Sequence, residues 1–452
     1  MRVWIINHYA IPPSMGGLVR HYYFSKFLRE RGHQVRIFTA SEIHNTDINM
    51  IRDGALYREE TMDGVPYTFL KTRDYSGNGL SRIINMLEFP LRIQQAVNRF
   101  ARAGERPDVI YTSAPTIFAA ASAVIAAKRL KVPCVVEVRD IWPESIVEYK
   151  GMSRKNPVIL ALYALEKWLY KNADRLIFTM EGGPDYIKEK HWENKIPLAK
   201  IDNLNNGVDL AEFDENCQKY TLDDPDLLDE STFKVVYTGS IRLVNNLEKI
   251  VEVAERMQQM GEEKIKFLLY GDGTEREQLI EECRQKGLCN IRFPGKVEKK
   301  YIPFILSKSD LNINHVKQTG IMRFGCSLNK QFDYFASGKP VLSDLTVNYD
   351  LIQRYGAGVT LPNQDTESLC REILRFAHMS KDEYQSICRN ARRAAGTGRF
   401  GFPCLFNGIA GSEQGHRKDK RQKQRNGTQD LFHAATLLLS KLQSMQSFSK
   451  AF

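Results

Sequence analysis

The chain has 452 residues, of which 42% are hydrophobic, 26% charged and 10% aromatic, a length and mixture that predict two or three globular domains and exclude wholesale disorder, collagen and a disulfide-dense scaffold. Its net charge of +10 is uneven: residues 1–200 carry 29 Lys and Arg against 21 Asp and Glu, residues 201–395 carry 26 against 30, and residues 396–452 carry 9 against 3. A basic half beside an acidic half suggests one domain that faces a polyanion, either phosphate-bearing lipid or nucleic acid. The eight cysteines form no C-x-x-C pair, Cys283 and Cys289 coming closest, so a reduced cytosolic chain without structural zinc is expected. The opening MRVWIINHYAIPP has too short an apolar run for a signal peptide, and the uncharged stretch 109–127 is interrupted at 111–115, so no membrane span is predicted.

Short β-rich runs alternate with helical patterns, the signature of open parallel sheets covered by helices. In the first half the pattern predicts strands near 3–7, 34–39, 109–112, 134–138 and 175–179, with helices at 17–31, 116–130 and 156–172. The first strand runs from Asn7 and His8 into a Pro-Pro-Ser-Met loop ending in Gly16 and Gly17. Adjacent glycines before a helix let backbone N–H groups approach a phosphate, and the absence of G-x-G-x-x-G disfavours a nicotinamide site. After the strand at 134–138 comes Glu137-Val138-Arg139-Asp140-Ile141-Trp142-Pro143-Glu144-Ser145. Three carboxylates and an Arg at a sheet's carboxyl edge are costly to bury unless they serve a ligand or pair in a salt-bridged corner.

Residues 210–232 hold eight Asp and Glu against one Lys with no long apolar period, and are expected to be the domain boundary. Beyond them the rhythm restarts, with strands near 234–238, 266–270, 310–314 and 340–342 and helices near 246–260, 274–287, 299–308, 327–336 and 381–395. Gly239, Ser240 and Arg242 follow the first of these strands, where their backbone N–H groups suit phosphate. Gly271 and Gly273 end the second, where close backbone approach or plain turn chemistry explains them. The sharpest signal runs from Phe324 to Val341: a small-residue loop enters a helix with Asn329 and Lys330 in its first turn and Asp333 close behind. A diphosphate suits such a helix start, and the carboxylate suits a ribose diol.

Taken together, the Pro-Pro-Ser-Met-Gly-Gly loop, Arg139 to Ser145, Asn206-Gly207-Val208-Asp209, Tyr237 to Ser240, Gly271-Asp272-Gly273 and Asn329-Lys330 with Asp333-Tyr334 make residues 1–395 resemble a family 4 retaining glycosyltransferase of the GT-B fold. The branch resembled is that of bacterial enzymes transferring amino sugars in O-antigen or capsule synthesis. The resemblance implies an α/β fold of two doubly wound Rossmann-like domains facing a cleft, with residues 1–209 binding the acceptor and 233–395 the nucleotide-sugar. It implies transfer of an N-acetylated hexosamine, with UDP favoured as carrier, to a polyprenyl-diphosphate-linked glycan with retention and without a metal or other cofactor. It places Asp140 and Lys330 in catalysis. Gly16, Gly17, Gly239, Ser240, Arg242, Gly271, Gly273, Asn329, Lys330 and Asp333 fall on the donor, and His8, Arg139 and Glu144 on the acceptor side. The broad family's paired glutamates fall here on Gly325 and Asp333, and its phosphate-binding Arg and Lys on Ser240 and Asn245. A sugar-nucleotide epimerase and an inactive sugar-nucleotide-binding scaffold share the architecture and are the alternatives.

The segment 81–107 has five Arg against two Glu and apolar residues on one helical face, which reads either as an interfacial helix for anionic lipid or as a packed helix with a basic outer face. Peripheral attachment at the inner face of the cell membrane is the matching location. Nucleic-acid binding is disfavoured, because the basic residues are not interleaved with aromatics. Residues 396–452 break the pattern and read as a basic arm, a disordered tail or the product of a reading-frame disruption.

Overall fold

The computed structural model describes residues 1–397 apart from Gly17, Asn45, Asn78 and Pro115, so the expectations for Gly17 and for nearly all of the tail lie outside the described residues. The described residues form two compact units, the first from residues 1–178 and 187–202, the second from 179–186 and 203–397.

The first unit holds β1 (Arg2–Ile6), β2 (Gln34–Ala40), β3 (Tyr57–Met62), β4 (Val65–Leu70), β5 (Val109–Ser113), β6 (Cys134–Val138), β7 (Arg175–Phe178) and β8 (Ile201–Asn203), in the sheet order β3-β4-β2-β1-β5-β6-β7-β8. β1 is central, pairing in parallel with β2 (Val3 opposite Val35) and with β5 (Val3 opposite Val109). β3 and β4, which the strand pattern did not predict, form an antiparallel edge hairpin. Its turn is Asp63-Gly64, both at positive φ, the geometry that an Asp-Gly pair favours. The basic segment becomes a helix over Leu80–Arg102 that buries Ile83, Met86, Phe89, Ile93, Val97 and Phe100, so its apolar face is first of all a packing face.

The second unit holds β9 (Phe233–Thr238), β10 (Ile265–Tyr270), β11 (Ile291–Gly295), β12 (Leu311–Asn314), β13 (Val341–Ser343) and β14 (Gly358–Thr360), in the order β11-β10-β9-β12-β13-β14. Alternate residues feed two cores. Val235, Tyr237, Phe267 and Leu269 join the helices Glu248–Gln259 and Thr366–Ala377 on one face. Val236, Leu268 and Tyr270 join Asn329–Ser337 and Lys381–Thr397 on the other. A parallel sheet covered on both faces needs largely apolar strands, as at Val235–Tyr237 and Phe267–Tyr270 in the middle of this one.

The acidic stretch is not a linker. Residues 210–232 form helices at Leu210–Lys219 and Pro225–Leu228 within the second unit, where Phe213 and Leu227 are buried. Asp209 and Asp224 cap them by accepting backbone N–H bonds, so part of the acidity is capping chemistry.

Beyond the ends of β9 and β10 the ladder continues without side chains in the way. Gly239 N donates to Tyr270 O at 3.0 Å, Ile241 N to Asp272 O at 2.9 Å and Gly271 N to Gly295 O at 2.9 Å. A Cβ on Gly271 would lie 1.7 Å from the Gly239 carbonyl oxygen, and one on Gly273 2.2 Å from that of Ile241. Gly271→Ala is expected to cost about 2–4 kcal/mol by overpacking backbone against backbone, measured as a lower midpoint in denaturant unfolding.

Candidate active site

In the second sheet β9 leads to β10 on one side and stands beside β12 on the other, so the strand order reverses between β9 and β12. Ligands of doubly wound folds bind at the carboxyl ends of the strands flanking such a reversal. Three segments meet there: the 239–246 turn after β9, His315 after β12, and the start of the helix Asn329–Ser337.

The turn is braced from within. The Tyr237 hydroxyl donates to the Ser240 carbonyl at 2.9 Å, and Asn245 Nδ2 donates to the same carbonyl at 2.7 Å and lies 2.9 Å from the Ser240 hydroxyl. Asn245 is buried, so the position expected to carry a phosphate charge instead fastens the loop. Ser240 and Arg242 stay exposed. The N–H of Gly239 is already bonded to Tyr270, and Gly271 and Gly273 serve the backbone packing described above. The Gly239 N–H, expected to be offered to phosphate, is thus engaged by the sheet, whereas Gly271 and Gly273 make the close backbone approach that was one of their two readings.

The helix Asn329–Ser337 is fixed at both ends of its first two turns. The Tyr334 hydroxyl accepts from Thr238 N at 2.9 Å, tying the helix to the end of β9. The loop before it is clasped by Asn206, whose N–H donates to Ser327 Oγ at 2.9 Å and whose Nδ2 donates to the Ser327 carbonyl at 2.5 Å. On the same loop, Gly182 N donates to Phe324 O at 2.9 Å, and a Cβ at Gly182 would lie 2.6 Å from the Phe324 backbone. Asn329 is exposed on the first turn. Asp333 lies one turn on, 3.4 Å from the Lys299 ammonium.

Lys330 reaches inward. Its Nζ donates to the His315 carbonyl at 3.1 Å and sits 4.2 Å from the centre of the Tyr237 ring. Burial pushes its ammonium down to about 7, with the charges of Cys326 and Asp344 opposing the shift. A cation held at the edge of losing its proton gains most from a bound anion. His315 and Asp344 beneath it are both fully buried and 2.6 Å apart. The strand pattern gave no sign of this pair; a His directly after a core strand and an Asp after the next were the available signals.

In the first unit the loop after β6 separates its three carboxylates. Glu137 is fully buried and accepts from Arg20 Nε at 2.7 Å; burial would raise its carboxyl, but the guanidinium groups of Arg20 and Arg139 help bring it to about 2. Glu144 is also fully buried and accepts from Arg154 at 2.5 Å, Lys190 at 2.7 Å and the Tyr163 hydroxyl. Burial opposes these bonds, which nonetheless hold it at about 2. The acceptor-side expectation for Glu144 is therefore corrected: its oxygens are engaged in a buried ion cluster. Asp140, by contrast, is exposed, and the protein around it raises its carboxyl above the ordinary range while Arg139 opposes.

His8 is likewise reassigned. It is 1% exposed, stacked near Tyr9 and Phe89, with Nε2 2.7 Å from Asn85 Oδ1, and burial pushes it down to about 3. It is a neutral core histidine. Gly16 donates its N–H to Pro12 O at 3.2 Å, closing a turn. The structure thus gathers Ser240, Lys330 and Asn329 at the second unit's switch point and leaves Asp140 accessible in the first. Among the described residues no group of three or more His, Cys, Asp or Glu could hold a metal ion.

Residues 16–197 match the family described as Glycosyl transferase 4-like domain, and residues 232–378 the family described as Glycosyl transferases group 1. The putative colanic acid biosynthesis glycosyl transferase WcaI of Escherichia coli (strain K12) is 22% identical over 297 residues, covering 64% of this chain and 70% of that one. Sucrose-phosphate synthase from Thermosynechococcus elongatus superposes with a TM-score of 0.65 at 15% identity, over 91% of this chain and 98% of its own. Anabaena HepE in complex with UDP and glucose superposes with a TM-score of 0.61 at 16% identity, over the same shares of the two chains. At these identities the structural likeness establishes the fold.

The Glu144 cluster has a pH signature. Its folded-state pKa of about 2 lies below the ordinary carboxylate value, so its contribution, about 3 kcal/mol, is present above pH ~4.5 and is lost as pH falls toward ~2. Glu144→Gln should lower unfolding free energy by about that amount near pH 7, the difference from wild type shrinking in acid, read by denaturant unfolding across the range.

Proposed function

Because this chain is a glycosyltransferase of the GT-B type, related to family 4, we propose that it moves an N-acetylated hexosamine from a UDP carrier to a polyprenyl-diphosphate-linked glycan with retention. The observation that carries the donor half is the Lys330 ammonium, held over the Tyr237 ring at a helix start above the β9–β12 reversal. A departing diphosphate needs charge stabilisation that is already in place, and a fixed ammonium, helix N–H groups and the exposed Arg242 supply it without a metal. The complex of the similarly folded HepE with UDP and glucose supports UDP as carrier, and the likeness to WcaI supports cell-surface polysaccharide as the product class.

The acceptor hydroxyl attacks the anomeric carbon on the face from which the diphosphate leaves. The bond from that carbon to the diphosphate oxygen breaks, and the hydroxyl proton passes to a donor phosphate oxygen. Asp140, exposed and raised, orients the acceptor or balances positive charge at the anomeric centre. Membrane attachment fits the outer face of the helix Leu80–Arg102. Leu80, Ile84 and Leu91 are exposed along one ridge, with Arg92, Arg99 and Arg102 on the same helix. No helix among the described residues is long and apolar enough to cross a membrane.

UDP release from a panel of UDP-sugars, measured in EDTA with and without a short-chain polyprenyl-diphosphate glycan, tests the reading. Release that requires the acceptor is expected; sugar interconversion without acceptor would favour the epimerase. Asp140→Asn should lower kcat by about 10²-fold with donor affinity nearly unchanged, and an equal loss of donor affinity would sink its assignment. Flotation with anionic vesicles should carry the protein upward, and Ile84→Glu with Leu91→Glu should abolish it.

A further inference from the structure

The buried pair of His315 and Asp344 has no part in the reaction as described, yet it sits where the donor-binding segments converge. Both side chains are fully buried, with Nδ1 of the imidazole 2.6 Å from Asp344 Oδ2. Its Nε2 donates to the Asn246 carbonyl at 2.9 Å. Asn246 is at φ +49°, a conformation that Asn tolerates better than most residues, and it follows Asn245, the residue that fastens Ser240. The His315 carbonyl accepts from Lys330 Nζ at 3.1 Å. Gln364 closes the far side, its Nε2 donating to the Val316 carbonyl at 2.8 Å. One residue therefore joins the turn after β9, the end of β12, the end of β13 and the first turn of the helix Asn329–Ser337.

We propose that His315 and Asp344 form a positioning pair that fixes the Lys330 ammonium and the 239–246 turn relative to one another for a nucleoside diphosphate. The inference rests on the donor reading above. Asp344 Oδ2 is partnered by His315, but Oδ1 has no hydrogen-bond partner among the described residues; leaving half of a fully buried carboxyl unsatisfied is costly, and a neighbouring cation offsets that cost. Lys330 is such a charge. The groups facing it are the Tyr237 ring from β9, His315 from β12, Asp344 from β13 and Cys326 from the loop before its own helix. Asp333, further along that helix, is paired with Lys299. Asp344 is the carboxylate among the groups that act on the ammonium, and it favours the charged form.

The test is UDP binding to the full chain by calorimetry between about pH 6 and about pH 8.5, for wild type, Asp344→Asn and Lys330→Met, with thermal unfolding of each. The pair's role predicts that Asp344→Asn weakens UDP about tenfold near pH 8 and less near pH 6, where the Lys330 ammonium depends less on Asp344. Lys330→Met should bind weakly with little of this pH dependence. A loss of the same factor at every pH, or none, in a folded Asp344→Asn protein would overturn the proposal. Should Asp344→Asn not fold, wild-type binding enthalpies in buffers of different ionisation enthalpy decide: uptake of a substantial fraction of a proton near pH 8 is expected, and no uptake overturns it. If wild type binds no UDP at any pH, the donor reading itself falls, an outcome distinct from a parallel pH profile.

Discussion

The second unit depends on backbone meeting backbone. Parallel strands end in loops that ordinarily splay apart once side chains intervene, but here Gly271 faces the Gly239 carbonyl where a methyl group would stand 1.7 Å from the oxygen. The ladder therefore runs on past β9 and β10, and the 239–246 turn leaves the sheet at a fixed height. Tyr334 takes its register from the last amide of β9, and Asn245 takes its from Ser240. The position of Lys330 follows from these two attachments. The glycines that looked like ligand contacts act one step earlier, by setting the frame in which the charged residues stand.

The first unit answers the question its sequence poses with three neighbouring carboxylates. Glu137 and Glu144 have cationic partners within hydrogen-bond distance, and both are held near 2; Asp140 is shifted the other way. Partnered carboxylates in low dielectric are framework, since moving any partner exposes an uncompensated charge. The residue without such a clamp is the one available to chemistry. Spacing alone could not make this distinction, because Arg154, Tyr163 and Lys190 arrive from remote parts of the chain.

Much of the fold was legible. Apolar runs at 134–138 and 266–270 matched β6 and β10 to within a residue, because a strand buried on both faces is mostly apolar, with Glu137 and Lys266 the exceptions. The hairpin at 57–70 was missed because Tyr57–Met62 is an edge strand with an exposed, charged middle, although Asp63-Gly64 was available as a turn signal. The acidic stretch misled for a related reason: the helix Leu210–Lys219 shows only Phe213 as a fully buried residue, and a mostly wet helix resembles a linker in sequence. Lys330 was recognisable from its helix start, whereas His315 and Asp344 acquire meaning only when β12 and β13 lie side by side. His8 illustrates the opposite error, a chemically suggestive residue whose surroundings are interior packing.

Among the described residues the chain crosses between its two units at 178/179, 186/187 and 202/203. Neither unit is thus a contiguous stretch of sequence, and no single scission yields two complete halves. A fragment stopped at residue 178 would lack the returning segment that carries Lys190, leaving Glu144 with one fewer cation inside the protein. Conversely, a fragment begun at 203 would lack Gly182, whose N–H bonds the Phe324 carbonyl at the entrance to the Lys330 loop. Dissecting this protein into separately expressed halves would damage both sides of the cut, so complementation between co-expressed fragments, rather than autonomous folding, is the behaviour its connectivity favours.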